Sequence, residues 1–185
     1  MLTALLVVIA IGAGHGEPAS GQDAARGGMP GAFLSTATGA PASALSWTFD
    51  ASQSAGGNGW TAERGTFTVG QAGARLQPDV NRRVVLLSPP GLPEAARQAD
   101  EFVLGVAGDA GLQRVRVQAR RDARGGWITI ADATGGTLRA VPGGYAITRK
   151  AGARDAHIER LRIELTFRTT NPRALTRIVA IPAPG

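Results

Sequence analysis

Between positions 161 and 168 the chain alternates without a break. Leu161, Ile163, Leu165 and Phe167 share one side of an extended backbone, and Arg162, Glu164, Thr166 and Arg168 share the other. A period of two does not fit a helix face and predicts a β-strand buried on one side. A turn at Asn171-Pro172 follows. A second apolar run through Leu175, Ile178, Val179 and Ile181 then leads back, closed by Pro182 and Pro184. Two long strands placed late in the chain predict an all-β domain.

The rest of the chain supports that expectation. Leu45, Trp47 and Phe49 alternate in an opening strand, and short strands are predicted at 65–69, 74–77 and 83–87, each bounded by Gly, Asp or Pro. Residues 92–100, with Pro93 early and alanines after it, give the one helical suggestion, a connector of two turns at most. The strand pattern resumes at 101–107. In 112–120, Val115, Val117 and Ala119 share one face while Arg114, Arg116, Gln118 and Arg120 share the other. The turn at 121–126 leads into Trp127-Ile128-Thr129-Ile130 and predicts a hairpin, with two further strands around 137–141 and 145–149. Glycine makes up 26 of 185 residues, above the roughly 7% norm, which favours many turns over long helices. The predicted fold is an antiparallel two-sheet β-sandwich, or jelly roll, of about ten strands with one short connecting helix.

Residues 1–16 hold an apolar run of about a dozen residues, short of the ~20 that span a bilayer and suited to a signal peptide or a membrane anchor. Residues 17–43 are rich in Gly, Ala, Pro and Ser and read as a flexible linker, leaving 44–185 for the sandwich. The expected location is outside the cytoplasm: periplasmic, at the cell surface or secreted. Any contact with the membrane would run through an uncleaved N-terminal segment.

The formal charge is +6, and it rests on 19 arginines against the single Lys150. Fourteen acids are mixed among them, so compositional bias explains much of the excess, although guanidinium forks also suit acidic ligands. Neither a nucleic-acid module nor a basic aromatic motif is present, so nucleic acid is not an expected partner. Cysteine is absent, and with His15 and His157 the only histidines no two-histidine metal site or serine-hydrolase signature can be assembled within the domain. Paired carboxylates drawn from Asp50, Glu63, Asp79, Asp122, Asp132 and Glu164 are the remaining route to catalysis, and nothing in their spacing brings two together. The chain is therefore read as a non-catalytic protein.

Two of the three tryptophans carry the binding expectation. Trp47 shares parity with Leu45 and Phe49 and belongs to the core. With Ile128 and Ile130 pointing inward, Trp127 points outward beside the arginine face of 112–120, a platform for a sugar and for an acidic one especially. The candidate ligand-binding set is Trp127, Arg116 and Arg120, with Trp60 and Asn58 from the glycine loop. The opening Trp47-x-Phe49-Asp50, the loop ending in Gly59-Trp60, and the two late apolar runs Leu161–Leu165 and Ile178–Pro182 resemble the galactose-binding-like jelly rolls, in particular carbohydrate-binding modules of secreted glycan-active enzymes. The resemblance implies a glycan ligand. Such modules often hold a structural calcium with an acidic residue ahead of the last apolar run; Thr176-Arg177 stands there instead, so no cofactor is expected. The alternative reading is a structural or accessory subunit of a membrane-associated complex, whose arginine faces meet a protein partner.

Overall fold

The computed structural model describes residues 44–49, 57–70, 73–107, 111–153 and 158–183. The expected signal or anchor at 1–16, the linker at 17–43, and Asp50 and His157 lie outside them. Twelve strands form among the described residues: β1 (Leu45–Thr48), β2 (Thr61–Arg64), β3 (Thr66–Gly70), β4 (Gly73–Gln77), β5 (Arg83–Leu87), β6 (Ala99–Val106), β7 (Leu112–Arg120), β8 (Ile128–Thr134), β9 (Arg139–Val141), β10 (Gly144–Thr148), β11 (Arg160–Phe167) and β12 (Arg173–Pro182). A single helical turn, α1 (Glu94–Arg97), precedes β6.

The strands build two antiparallel sheets. One has seven strands in the order β3-β4-β12-β6-β10-β9, with β1 also paired to β12, and the other runs β2-β5-β11-β7-β8. The fold is thus an all-β two-sheet sandwich. Its core follows from alternation: Leu161, Ile163, Leu165 and Phe167 of β11 are fully buried, and the register sets Leu86 and Val117 against Ile163, and Val84 and Val115 against Leu165. Phe102, Leu104, Ile147, Ile178 and Ala180 line the facing sheet. Full burial of each large side chain contributes about 1.5–3 kcal/mol. Two edge-to-face aromatic pairs complete the core, Trp47 with Trp60 and Phe49 with Phe67, both with ring centroids 5.4 Å apart.

Three features go beyond the local pattern. The turn at Asn171-Pro172 carries the chain from β11 in one sheet to β12 in the other, and each strand is a central one. The helical segment is only four residues long, because Ala99, Phe102, Leu104 and Val106 are needed as a buried row of β6. A strand at 61–64 was absent from the sequence pattern, since Thr61-Ala62-Glu63-Arg64 has no apolar alternation and pairs with β5 through a bulge.

Arginine also serves the interior. Arg149, 4% exposed at the end of β10, donates through Nη1 to the carbonyls of Arg97 (2.8 Å) and Ala99 (3.2 Å), and through Nη2 to that of Ala153. A planar fork thereby ties the end of α1 and the start of β6 to the following turn.

Gly65 joins β2 in one sheet to β3 in the other at φ +67°, where a Cβ would stand 2.6 Å from the Gln77 carbonyl oxygen. Gly91 has φ +68° with nothing within 4 Å of a Cβ. Gly91→Ala is expected to cost about 1 kcal/mol from the left-handed backbone, and Gly65→Ala about 3 kcal/mol, since overpacking adds to the same backbone penalty. Urea denaturation of both variants measures this; equal losses would show that the β2–β3 crossing does not confine the chain.

Candidate functional site

The outward side chains of the five-stranded sheet form ordered rows, because the register of β11 with β5 and β7, and of β7 with β8, sets like positions side by side. Glu164, Arg116 and Asp132 make one row, and Thr166, Arg114 and Thr134 the next. In the first of these rows arginine and carboxylate alternate. Arg114 holds Asp132 with both prongs, Nε to Oδ1 at 2.9 Å and Nη2 to Oδ2 at 2.6 Å. Arg116 lies between two acids, 3.5 Å from Asp132 Oδ2 and 3.6 Å from Glu164 Oε2, and Arg83 reaches Glu164 Oε1 at 3.4 Å. Partly exposed pairs contribute ~0–1 kcal/mol each, so the ladder's main effect is to neutralise the face.

Further along the sheet the composition of the face changes. Arg162 donates from Nε to Glu63 Oε2 at 2.7 Å and from Nη1 to Gln118 Oε1 at 2.7 Å. Its guanidinium carbon stands 5.9 Å from the centroid of the Trp127 ring, and that of Arg120 stands 5.2 Å from it. Two cations within about 6 Å of one indole are in cation–π range. Trp127 is half-buried and lies just before the edge strand β8, where Ile128, 45% exposed, continues the apolar surface.

The basis for Trp127's position differs from the expected one. A bulge between Val117 and Gln118 brings Ile130 and Ala131 both into the core, while Ile128, opposite Ala119, stays partly exposed at the sheet edge. Trp127 nevertheless reaches the outer face, as its contacts with Arg120 and Arg162 require.

The expected residues do not all assemble. Trp127 and Arg120 come together. Arg116 is on the same face but four residues before Arg120, about 13 Å along the strand, and is engaged by Asp132 and Glu164. Trp60 is corrected: it is 2% exposed, packed on Trp47 in the core, and presents no ring to a ligand. Asn58 sits in a left-handed turn at φ 54° with its amide donating to the Thr48 carbonyl at 2.6 Å. The neighbouring strand β2 is four strand spacings from β8, roughly 19 Å across the sheet. Arg162 completes the cluster around Trp127. Its outward parity was legible in the sequence, but its nearness to Trp127 depends on the order β11-β7-β8, which no local pattern encodes.

Other features of the surface point elsewhere. No group of three or more His, Asp or Glu side chains among the described residues is placed to hold a metal ion. At Thr176 a bulge in β12 turns the hydroxyl onto the Gly105 carbonyl at 2.9 Å. The seven-stranded sheet has a depression of about 370 Å³ lined by Val141, Gly144, Tyr145 and Thr176 among others, with no charged side chain among the described residues of its wall. No protein-family model matches the chain, and no curated protein matches it.

The Arg114 hydrogen bonds, and then the charges of Arg114 and Arg116, hold the Asp132 carboxyl below the usual carboxylate range. A carboxyl with its folded-state pKa lowered contributes stability that is full above the unfolded pKa of about 3.9 and is lost as pH falls through the lower folded value. Asp132→Asn is therefore expected to lose about 1 kcal/mol at pH 7 and to match the wild type once the pH is below the folded-state value. Denaturant titrations between neutral and strongly acidic pH check this. A gap of constant size would assign the loss to packing instead.

Proposed function

We propose that the domain is a non-catalytic binding module that recognises a glycan, in a protein exported to the periplasm, cell surface or medium. The observation that carries this reading is the Trp127 ring on the outer face with Arg120 and Arg162 against it. An indole offers an apolar surface for the CH groups of a sugar ring, and neighbouring guanidiniums supply donors for its hydroxyls. Arg162 is held in place by Glu63 and Gln118, so part of the ordering cost is met before a ligand arrives. Arg116 contributes as the cation that begins the charged ladder behind the site.

The carboxylates support a non-catalytic role. Asp132 and Glu164 both face Arg116, with the cation between them, and the lowered pKa of Asp132 is opposite to what a general acid needs. Among the other acids, Glu63 is taken by Arg162, and Asp79 and Asp122 accept backbone N–H groups in turns.

A second reading, an accessory subunit of a membrane-associated complex, sets the arginine faces against a protein partner, with the apolar-lined depression beside Val141 and Tyr145 on the seven-stranded sheet as a further contact.

Trp127→Ala separates the two. On immobilised polysaccharides and a glycan array the variant is expected to lose at least tenfold in affinity, about 1.4 kcal/mol, with its thermal transition little changed. Unchanged retention would overturn the glycan site, and binding by neither protein, with a stoichiometric protein companion in pull-downs, would favour the subunit.

A further inference from the structure

The rows of the charged face are not equally compensated. On β7 and β11 the outward arginines Arg114, Arg116 and Arg162 each have a carboxylate oxygen within 4 Å. The remaining two, Arg120 and Arg160, stand directly opposite each other in the β7–β11 register. Like charges placed opposite on neighbouring strands destabilise a sheet. Among the described residues neither has an ion-pair partner: Arg160 donates through Nε to the Ser88 carbonyl at 2.7 Å, and Arg120 lies over Trp127. Adjacent Glu159 does not relieve them; its backbone N–H donates to the Arg120 carbonyl, and its side chain makes no ion pair with either. Asp122, in the following turn, spends Oδ1 on the backbone N–H groups of Arg124 and Gly125. Arg121 and Arg124, both exposed, add further positive charge at this end of the sheet.

From this uncompensated pair we infer that Arg120 and Arg160 form an anion-binding row that reads the acidic substituent of a polysaccharide, a carboxylate or a sulfate, while the sugar ring rests on Trp127. This rests on the glycan reading and adds its specificity-determining residue, Arg160. The anchored Nε of Arg160 leaves its two Nη groups to an incoming oxygen, and Arg120 has no side-chain acceptor among the described residues. Charge-assisted bonds from two guanidiniums to one anion are stronger than neutral ones, and the anion removes the repulsion across the strand pair. The lower rows, already neutralised by Asp132 and Glu164, offer no such gain.

The test titrates the full-length protein with glucuronate, inorganic sulfate and glucose, following the Trp127 indole and arginine Nε resonances by NMR. Wild type is compared with Arg160→Gln, Arg120→Gln and, as a control on the paired part of the face, Arg114→Gln. Glucuronate or sulfate is expected to shift the Arg120 and Arg160 signals, with whichever binds more tightly identifying the substituent. Affinity for that anion is expected to fall about tenfold in Arg160→Gln and Arg120→Gln and to stay near the wild-type value in Arg114→Gln. Without anion, Arg160→Gln is expected to be no less stable than the wild type, because the repulsion is gone. The inference is overturned if neither anion shifts these signals, or if Arg114→Gln weakens binding as much as Arg160→Gln. Equal binding of glucose and glucuronate at Trp127, unaffected by Arg160→Gln, would overturn the anion row and leave the glycan module standing. Sulfate binding with no saccharide binding at all would keep the row and remove the module.

Discussion

Everything on the surface of this sandwich is placed by the burial of one row of side chains. Leu161, Ile163, Leu165 and Phe167 are fully enclosed between the sheets, and a slip of one residue would expose all four while burying Arg162 and Glu164. That penalty locks the register of β11 against β5 and β7. Once it is locked, Glu164 must stand beside Arg116, and Arg160 beside Arg120. The electrostatic pattern of the outer face is thus a consequence of the core.

The same constraint sorts the arginines into distinct physical roles. Arg149 is buried and spends its donors on backbone carbonyls, so it acts as a tie between turns. Arg83, Arg114 and Arg116 share Asp132 and Glu164 in a ladder whose net charge is small. Around Trp127 the balance shifts, because among the described residues only Arg162 of the nearby guanidiniums has a carboxylate, that of Glu63. A composition that reads as uniform arginine bias becomes, in three dimensions, one interior clamp, one neutral ladder and one basic end.

Trp60 and Trp127 show why the candidate site was only half legible. Both follow glycine in the sequence, and both precede a short strand. Trp60 enters the core because β1 and β2 lie in different sheets and their ends meet across the interior, bringing Trp47 within 5.4 Å. Trp127 stays outside because the turn before it hands the chain to an edge strand of the same sheet. Local pattern is the same in both; the sheet assignment of the neighbouring strands decides. The shortness of the helix has a related cause: alanine propensity at 95–99 favours helix, but the buried row of β6 begins at Ala99 and takes precedence.

The sequence by itself determined the class of the fold and which side of β7 and β11 faces inward, because alternation of apolar and charged residues is a local property with one physical solution. It also determined that β7 and β11 each carry an outward row rich in arginine. Which of those arginines meet a carboxylate, which meet an indole and which face each other was decided only by the tertiary structure. These neighbours come from strand order and from bulges near Gln118 and Glu63, and pairings between residues up to 99 positions apart, as for Glu63 and Arg162, leave no trace in either segment alone.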